Sequence, residues 1–593
     1  MAPRSVEAPS DPALTPSART VLARRYLRRD ARGDPAETPA QLFERVAAAV
    51  AAAEAGLPGG DPDAWRPRFA ARLRALELLP NSPTLMNAGR PDGQLAACFV
   101  LPVEDSLARI FDAVKHAALI HQTGGGTGFA FSRLRAHGDA VGDSAGVASG
   151  PVAFMKVIDA ATEAIRQGGA RRGANMGILR VDHPDVLAFV EAKSRPGVLE
   201  NFNLSVAVTD AFMAALAAGG TYALVSPRNG DGAEVGRLPA REVWERIAAA
   251  AWASGEPGLV FIDRINADNP TGHEAAIEST NPCGELPLPP FDSCNLGSIA
   301  LPRFLRRGAP ADGTLGAARA ALDWERLGEA VREAVRFLDD VIEANTFPLP
   351  EIAATTRRNR RIGLGPMGWA ELLMRAGLPY DSEEAVLLGA EVAAFFQREA
   401  RAASRALAAE RGPFPAYAGS RWEREGVGPL RNATLLTVAP TGTISVIAGT
   451  TSGIEPLFAL ALTRHVLDGA ALPETFPFFE EVARREGFST PALLAEVQRR
   501  GTCRGLAVPP RFQRLFAVAR EIAPEWHLRH QATWQRFVDN AVSKTVNLPA
   551  DATPADVARI YALAYEWSCK GITVYRDQSR PGQVLEAGLP TDD

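Results

Sequence analysis

Cysteine is scarce in this chain: five in 593 residues, at positions 98, 283, 294, 503 and 569. An odd and sparse set argues against a secreted disulfide framework and for a reducing compartment, so the cytoplasm is the expected location. Eight histidines form no H-x-x-x-H cluster with further ligands, and no protein-ligated metal is expected. No run of 18 uninterrupted apolar residues occurs, so no membrane-spanning helix is expected. The arginine pairs at 24–25 and 28–29 lack a following apolar stretch, which argues against a secretory signal. Neither sign of charge dominates: 64 basic against 69 acidic residues leave a net of -5 and no reason to expect nucleic acid as a partner. The glycine run Gly124–Gly126 carries neither the G-K-[ST] of a phosphate loop nor the G-x-G-x-x-G spacing, and the chain shows no internal repeat of 20–50 residues.

What is present is ample for a large core, with 46% apolar residues. Residues 1–19, rich in Pro, Ala and Ser, read as a mobile tail. From Thr20 to Leu79, apolar residues such as Leu42, Phe43, Val46 and Val50 recur at three-to-four spacing and predict helices. Asp105–His121 reads as another helix. A further helix is predicted to start at Pro151 and to end at Gly168-Gly169. Ala174–Val181, Asn203–Val208 and Thr434–Val438 read as strands, and Ala309–Leu315 as a surface excursion. The alternation of strands and helices predicts an α/β architecture.

Two of the five cysteines lie eleven residues apart, within Asn281-Pro282-Cys283-Gly284-Glu285 and Ser293-Cys294-Asn295. In an extended or finger-like segment, 281, 283 and 285 face one side and gather an amide, a thiol and a carboxylate. The plain alternative is a Pro/Gly turn with two structural thiols. For Cys503 and Cys569, the plain reading of small residues without chemistry is preferred. Thr441–Ser445 (TGTIS) offers hydroxyls and a turn that opens a helix, a geometry suited to anions but a common one. Gly124–Gly126 is open to the same two readings. Gln167–Asn175 (QGGARRGAN) is glycine-rich and basic, either a working loop or a solvated turn.

The wording of 281–298 resembles the active-site loop of ribonucleotide reductase catalytic chains. The likeness recurs in order at NSPTLMNAG (81–89), LAACFVLPVEDSLARI (95–110), GGGTGFAFSRLR (124–135), RQGGARRGAN (166–175), APTGTISVIAGTTSGIEP (439–456), SKTVNL (543–548) and GITVYRD (571–577). It spans roughly residues 20 to 580. The resemblance implies a ten-stranded α/β barrel of two antiparallel five-strand halves over 96–580. The Cys283 loop would thread it, a helical region would occupy 20–95, and a short tail 581–593. It also implies roles. Cys283 becomes a thiyl radical, Glu285 takes the 3′-hydroxyl proton, Asn281 orients the sugar hydroxyls, and Cys98 with Cys294 forms the reducing pair. Substrate would meet Ser82, Ala97, Gly126 and Thr441, Gly442, Thr443, Ile444 and Ser445. A deoxynucleoside triphosphate effector would meet Asp105, Ser106, Leu107 and Arg135 between two subunits of a homodimer. The loop Gln167, Gly168, Gly169, Ala170, Arg171, Arg172, Gly173, Ala174 and Asn175 would relay effector identity to substrate choice.

The radical source is decided on smaller signs. The ending GITVYRD has one tyrosine where relatives fed by a separate radical subunit have a pair, and no glycyl-radical segment is seen. With SKTVNL and the expected absence of an amino-terminal ATP cone, it resembles the class II, adenosylcobalamin-dependent branch acting on ribonucleoside diphosphates. Two alternatives stay open: a catalytic chain fed by a separate radical subunit, and an inactive deoxynucleotide-sensing relative. No cysteine follows Cys569, where many relatives carry a tail cysteine pair: either a separate thioredoxin-like carrier reaches the site directly, or another chain supplies the tail, or the sequence is truncated.

Overall fold

The computed structural model describes residues 11–91, 93–141, 146–167, 171–228, 232–308, 312–466, 470–579 and 585–589. Gly168, Gly169 and Ala170 of the predicted relay loop lie outside these. So do residues 1–10, 309–311, 580–584 and 590–593 of the predicted tails and surface excursion.

The amino-terminal region is helical, with helices Pro16–Arg25, Pro39–Ala51 and Pro62–Arg74. Each opens with proline at its first position, behind Thr15, Thr38 or Asp61, whose side chain accepts a hydrogen bond from the first turn. The first of these helices corrects the predicted tail to residue 19. Thr15 caps it, and Ala18, Val21 and Leu22 are buried, so the chain is packed from about position 15.

Ten strands form one sheet. They are β1 (Leu78–Pro80), β2 (Cys98–Pro102), β3 (Gly126–Ala130), β4 (Asn175–Arg180), β5 (Phe202–Val208), β6 (Gly258–Phe261), β7 (Ser293–Ala300), β8 (Ile362–Met367), β9 (Thr545–Leu548) and β10 (Gly571–Arg576). β2, β3, β4, β5 and β6 run parallel in that order. β10 joins β6 antiparallel and carries β9 parallel to itself. On the other flank β7 pairs antiparallel with β2 and parallel with β8. Helices from the crossovers, such as Leu107–Gln122 and Ala240–Ser254, cover the outer face, where Phe129, Phe131, Phe202 and Trp244 fill the core.

Two predicted elements differ. Thr434–Val438 makes only isolated parallel bridges, Leu364 to Leu436 and Val438 to Val542. Two of its amides are drawn off a ladder, since the Asp539 carboxylate accepts the Leu435 and Leu436 N–H at 2.9 and 3.2 Å, while the Thr437 and Val438 N–H still donate to the Leu364 and Ala541 carbonyls. The helix from Pro151 ends at Ala164, ahead of the glycines, because Arg166-Gln167 pairs back on Arg171-Arg172 as a small hairpin.

A buried charge cluster ties the helical region to the sheet's helices. Glu54 receives Arg336 at 2.6 Å and Arg411 at 2.7 Å, and Arg411 also reaches Asp340 at 2.7 Å. Burial alone would raise the Glu54 pKa, but hydrogen bonds from Arg336, Asp340 and Arg411 hold it down at about 2.

Candidate active site

The segment holding Cys283 is a closed turn carried on a two-residue ladder, Ser279-Thr280 against Pro287-Leu288. Asn281 closes it: its N–H donates to the Leu286 carbonyl at 3.2 Å, and its side-chain oxygen accepts the Leu286 N–H at 3.0 Å. Gly284 sits at φ +82°, a left-handed value that glycine adopts without strain. The simple alternation expected of an extended strand therefore does not apply. Asn281 and Glu285 are buried, while Cys283 is exposed to the cavity above the turn.

Glycines let this finger lie against the sheet. A Cβ on Gly128 would stand 1.7 Å from the Thr280 carbonyl oxygen, and one on Gly126 would stand 2.9 Å from the Pro282 ring. Close packing of the finger is thus the reason for glycine at 126 and 128. Asn203, a residue the sequence reading passed over, donates to the Pro282 carbonyl at 2.7 Å and fixes the finger from β5.

Cys98 and Cys294, 196 positions apart in sequence, are direct register partners across the antiparallel β2–β7 pair. Such partners stand about 4.5–5.5 Å apart at Cα, inside the range a disulfide spans. Both are free thiols. The Asn281 amide donates to the Cys98 sulfur at 3.2 Å. Burial pushes the Cys98 thiol well up, and the charges of Glu285, Cys294 and Cys283 push it further. Cys294 is raised by burial and then by Asp292, against an opposing pull from Arg361. Both buried cysteines are therefore neutral S–H groups at neutral pH.

The other predicted substrate and effector positions fall into four places. Ala97 bridges the seam, its N–H donating to the Cys294 carbonyl at 3.4 Å and its carbonyl accepting the Gly126 N–H at 2.8 Å. Ser82 opens the short helix Ser82–Asn87 and its hydroxyl meets the Tyr26 hydroxyl at 2.8 Å. Thr441 has φ +51°, unusual for a β-branched residue, and its Oγ1 accepts the Gly453 N–H at 2.8 Å. Gly442 is exposed with nothing within 4 Å of a notional Cβ, while Ile444 and Ser445 are buried at the start of the five-residue helix Ile444–Ala448. Asp105, Ser106, Leu107 and Arg135 come together elsewhere, at the mouth of the Leu107–Gln122 helix. Arg135 Nε meets Asp105 at 2.8 Å, Ser106 caps the helix, and Leu107 is 67% exposed.

Above Cys283 opens a cavity of about 960 Å³. Its walls include β10 from Gly571 to Tyr575, the 542–545 segment, Glu455–Ala459, Ser445 and, from the amino-terminal helix, Thr15 to Ser17. Lys544 is buried in this wall, its Nζ donating to Glu455 at 2.6 Å. Lys544 belongs to the SKTVNL stretch, so its signal was visible without a role attached.

Comparison with known proteins identifies the family. A family model described as "Ribonucleotide reductase, barrel domain" matches residues 96–427 and 427–575, and one described as "Ribonucleotide reductase, all-alpha domain" matches 13–93. The "Vitamin B12-dependent ribonucleoside-diphosphate reductase" of Mycobacterium tuberculosis is 52% identical over 579 residues, covering 97% of this chain and 81% of that protein. The protein of the same name from Thermoplasma acidophilum is 51% identical over 522 residues, covering 88% of this chain and 66% of that protein. Among solved structures, the "Actinobacillus ureae class Id ribonucleotide reductase alpha subunit" superposes with a TM-score of 0.74 at 22% identity, over 95% of this chain and 97% of that one, a likeness of fold. The chain belongs to the ribonucleotide reductase large-subunit family.

Proposed function

We propose that this chain reduces ribonucleoside diphosphates to 2′-deoxyribonucleoside diphosphates, with adenosylcobalamin as radical generator. The observation that carries the reading is the register pairing of Cys98 with Cys294 beside a finger that presents Cys283. The curated relatives above half identity bear the same activity in their names.

Substrate would enter the cavity with its sugar over Cys283. The Cys283 thiyl abstracts the 3′ hydrogen, and Glu285 accepts the 3′-hydroxyl proton, a task suited to a buried carboxylate within reach. Asn281, held by Leu286, orients the hydroxyls and the Cys98 thiol together. The 2′-hydroxyl leaves as water with a proton from the thiol pair. Cys98 and Cys294 give up two electrons and two protons in all and end as a disulfide, and the 3′ hydrogen returns from Cys283. The neutral state of both thiols supports this, since each must carry a hydrogen to give. The open backbone at Gly442, with Thr441, Thr443, Ile444 and Ser445, would take the diphosphate, and Ser82, Ala97 and Gly126 would line the sugar side. A thioredoxin-like reductant restores the pair.

The cavity suits a large flat cofactor. Its lining combines Cys283 with small residues (Ser205, Gly258, Ala459, Gly571) and with the Lys544–Glu455 pair and Asn547, which suit polar substituents. No histidine is among the described lining residues. Residues of β10 and of the 542–547 wall would hold adenosylcobalamin, whose chemistry there would be to supply the radical for Cys283.

We read the sheet as a closed ten-strand barrel. The bridges Leu364 to Leu436 and Val438 to Val542 support closure, because they continue β8 through 434–438 to the segment just before β9. With 434–438 counted as a strand and β1 left outside the ring, two parallel five-strand halves are set antiparallel over residues 96–580, and the helical region precedes them from about residue 15. A homodimer is supported by the exposed apolar side chains Leu107, Phe111 and Leu119 on one helix and Val157 on its neighbour. Effector triphosphates would bind at Asp105, Ser106, Leu107 and Arg135 on that face and act through Gln167–Asn175. The cytoplasm fits a chain with no described helix long and apolar enough to cross a membrane.

The test is anaerobic conversion of CDP to dCDP with dithiothreitol and an effector triphosphate, with and without adenosylcobalamin. Cobalamin-dependent product, abolished in Cys283→Ala, is expected. Folded protein that binds nucleotide yet makes no product either way would overturn the reading.

A further inference from the structure

Behind the finger lies a chain of buried polar side chains that the mechanism does not use. His121, in the last turn of the Leu107–Gln122 helix, meets Thr127 Oγ1 through Nε2 at 2.9 Å. Thr127, on β3, donates to the Asn175 side-chain oxygen at 2.6 Å. The Asn175 amide nitrogen donates to Thr162 Oγ1 at 3.0 Å and to the Asn201 carbonyl at 3.2 Å. Thr162 in turn donates to the Ile158 carbonyl at 2.8 Å. All four side chains are buried.

The direction of every proton in this chain is fixed. The amide of Asn175 can only donate to Thr162, so its oxygen accepts from Thr127, which then accepts from His121. His121 therefore donates from Nε2, and burial, which pulls its pKa down to about 4, keeps the ring neutral. A chain with one polarity and no water access has no second arrangement at similar energy.

Its position matters as much as its polarity. Asn175 is the last residue of the Gln167–Asn175 loop and the register partner of Thr127. The loop root is gripped twice more: Thr127 N–H donates to the Ala174 carbonyl at 3.1 Å, and a Cβ on Gly173 would stand 2.9 Å from the His121 ring. One residue before Thr127, Gly126 touches Pro282 of the finger and is paired with Cys98. The far end of the His121 helix begins at Ser106 and Leu107. One rigid helix thus spans from the proposed effector residues to the loop root.

We propose that His121, through Thr127 and Asn175, transmits the position of the Leu107–Gln122 helix to the root of the Gln167–Asn175 loop, and so is a positioning residue through which the bound effector sets base preference. This rests on the reductase reading and on its effector site. A shift of the helix by about 1 Å takes the 2.9 Å bond out of hydrogen-bonding range, so loop root and helix must move together.

The experiment uses the full chain with adenosylcobalamin and compares kcat/KM for two ribonucleoside diphosphates with and without each effector triphosphate. In His121→Leu and in Thr127→Val, the effector-induced change in substrate ratio should fall about tenfold, a typical size for coupling between sites. The rate without effector and the effector Kd should stay within about threefold. The double variant should lose little more than either single one, as members of one chain do. His121→Gln, which keeps a donor near the Nε2 position, should retain most of the response. Thr162→Val, at the opposite end, offers a second break should His121→Leu fold poorly. Full effector response in a folded His121→Leu or Thr162→Val would overturn the proposal. Equal loss of unstimulated rate, melting temperature and response would also overturn it, in favour of simple packing. Wild-type product without effector response would overturn the effector site along with it, and absence of wild-type product would overturn the reductase reading first.

Discussion

At the scale of single residues, exposure separates the three site cysteines more sharply than spacing does. Cys283 faces the cavity, whereas Cys98 and Cys294 are buried and held as neutral thiols. Alkylation with iodoacetamide at pH 8, mapped by mass spectrometry, should label Cys283 at least about tenfold faster than the other two. Asp292, two residues before Cys294, is fully buried beside Arg361, and burial pushes its carboxyl up from 3.8 to about 6 despite that guanidinium. A folded pKa above the unfolded one favours the protonated state. The associated stability is complete below about pH 4 and is lost as pH rises through about 6, by roughly 3 kcal/mol. Asp292→Asn should flatten that stretch of a melting-temperature profile; an unchanged profile would show that Asp292 is not the titrating group. Cys98, Cys283 and Cys294 are singled out in the sequence by the family resemblance of the segments that carry them, not by spacing alone. The sequence could not name Asn203 or Asp292, whose partners Pro282, Asn359 and Arg361 lie far away in the chain, nor His121, whose partner Thr127 is near in sequence but on a different element.

At the scale of elements, the legible parts were those with local signals. β4 and β5 lie within a residue of their predicted spans, since their apolar runs are bounded by turn residues. The 434–438 segment misled because Asp539, a hundred positions on, claims two of its amides. The first helix was hidden by a composition that suggests a tail, although Thr15 and Pro16 form a cap signal. The Glu54 cluster is likewise invisible in sequence, since its partners come from helices beginning at 324 and 383. Glu54→Gln leaves two buried arginines short of a counter-charge and should cost about 3–5 kcal/mol, read by urea unfolding. Because Glu54 is held below its ordinary value, the stability it lends is present above about pH 4.5 and disappears as pH falls toward 2. The helical region should therefore loosen first in acid, visible as early exchange of amides in Pro39–Ala51.

At the scale of the whole molecule, the exposed apolar face carrying Leu107, Phe111, Leu119 and Val157 is expected to be covered by a second copy. Phe111→Glu combined with Val157→Lys should shift sedimentation from dimer toward monomer and abolish effector response, leaving the finger untouched. A variant that stays dimeric would place the contact elsewhere.

The pairing of Cys98 with Cys294 falls at the junction where strands of one direction give way to strands of the other. A covalent bond there would do more than store two electrons. It would rivet the two halves of the sheet across a closed loop of nearly two hundred residues, which in chain-entropy terms restrains the unfolded state by about 5 kcal/mol. The oxidised protein would then be the harder one to unfold, and each visit of the external reductant would loosen the whole fold as well as reset the chemistry.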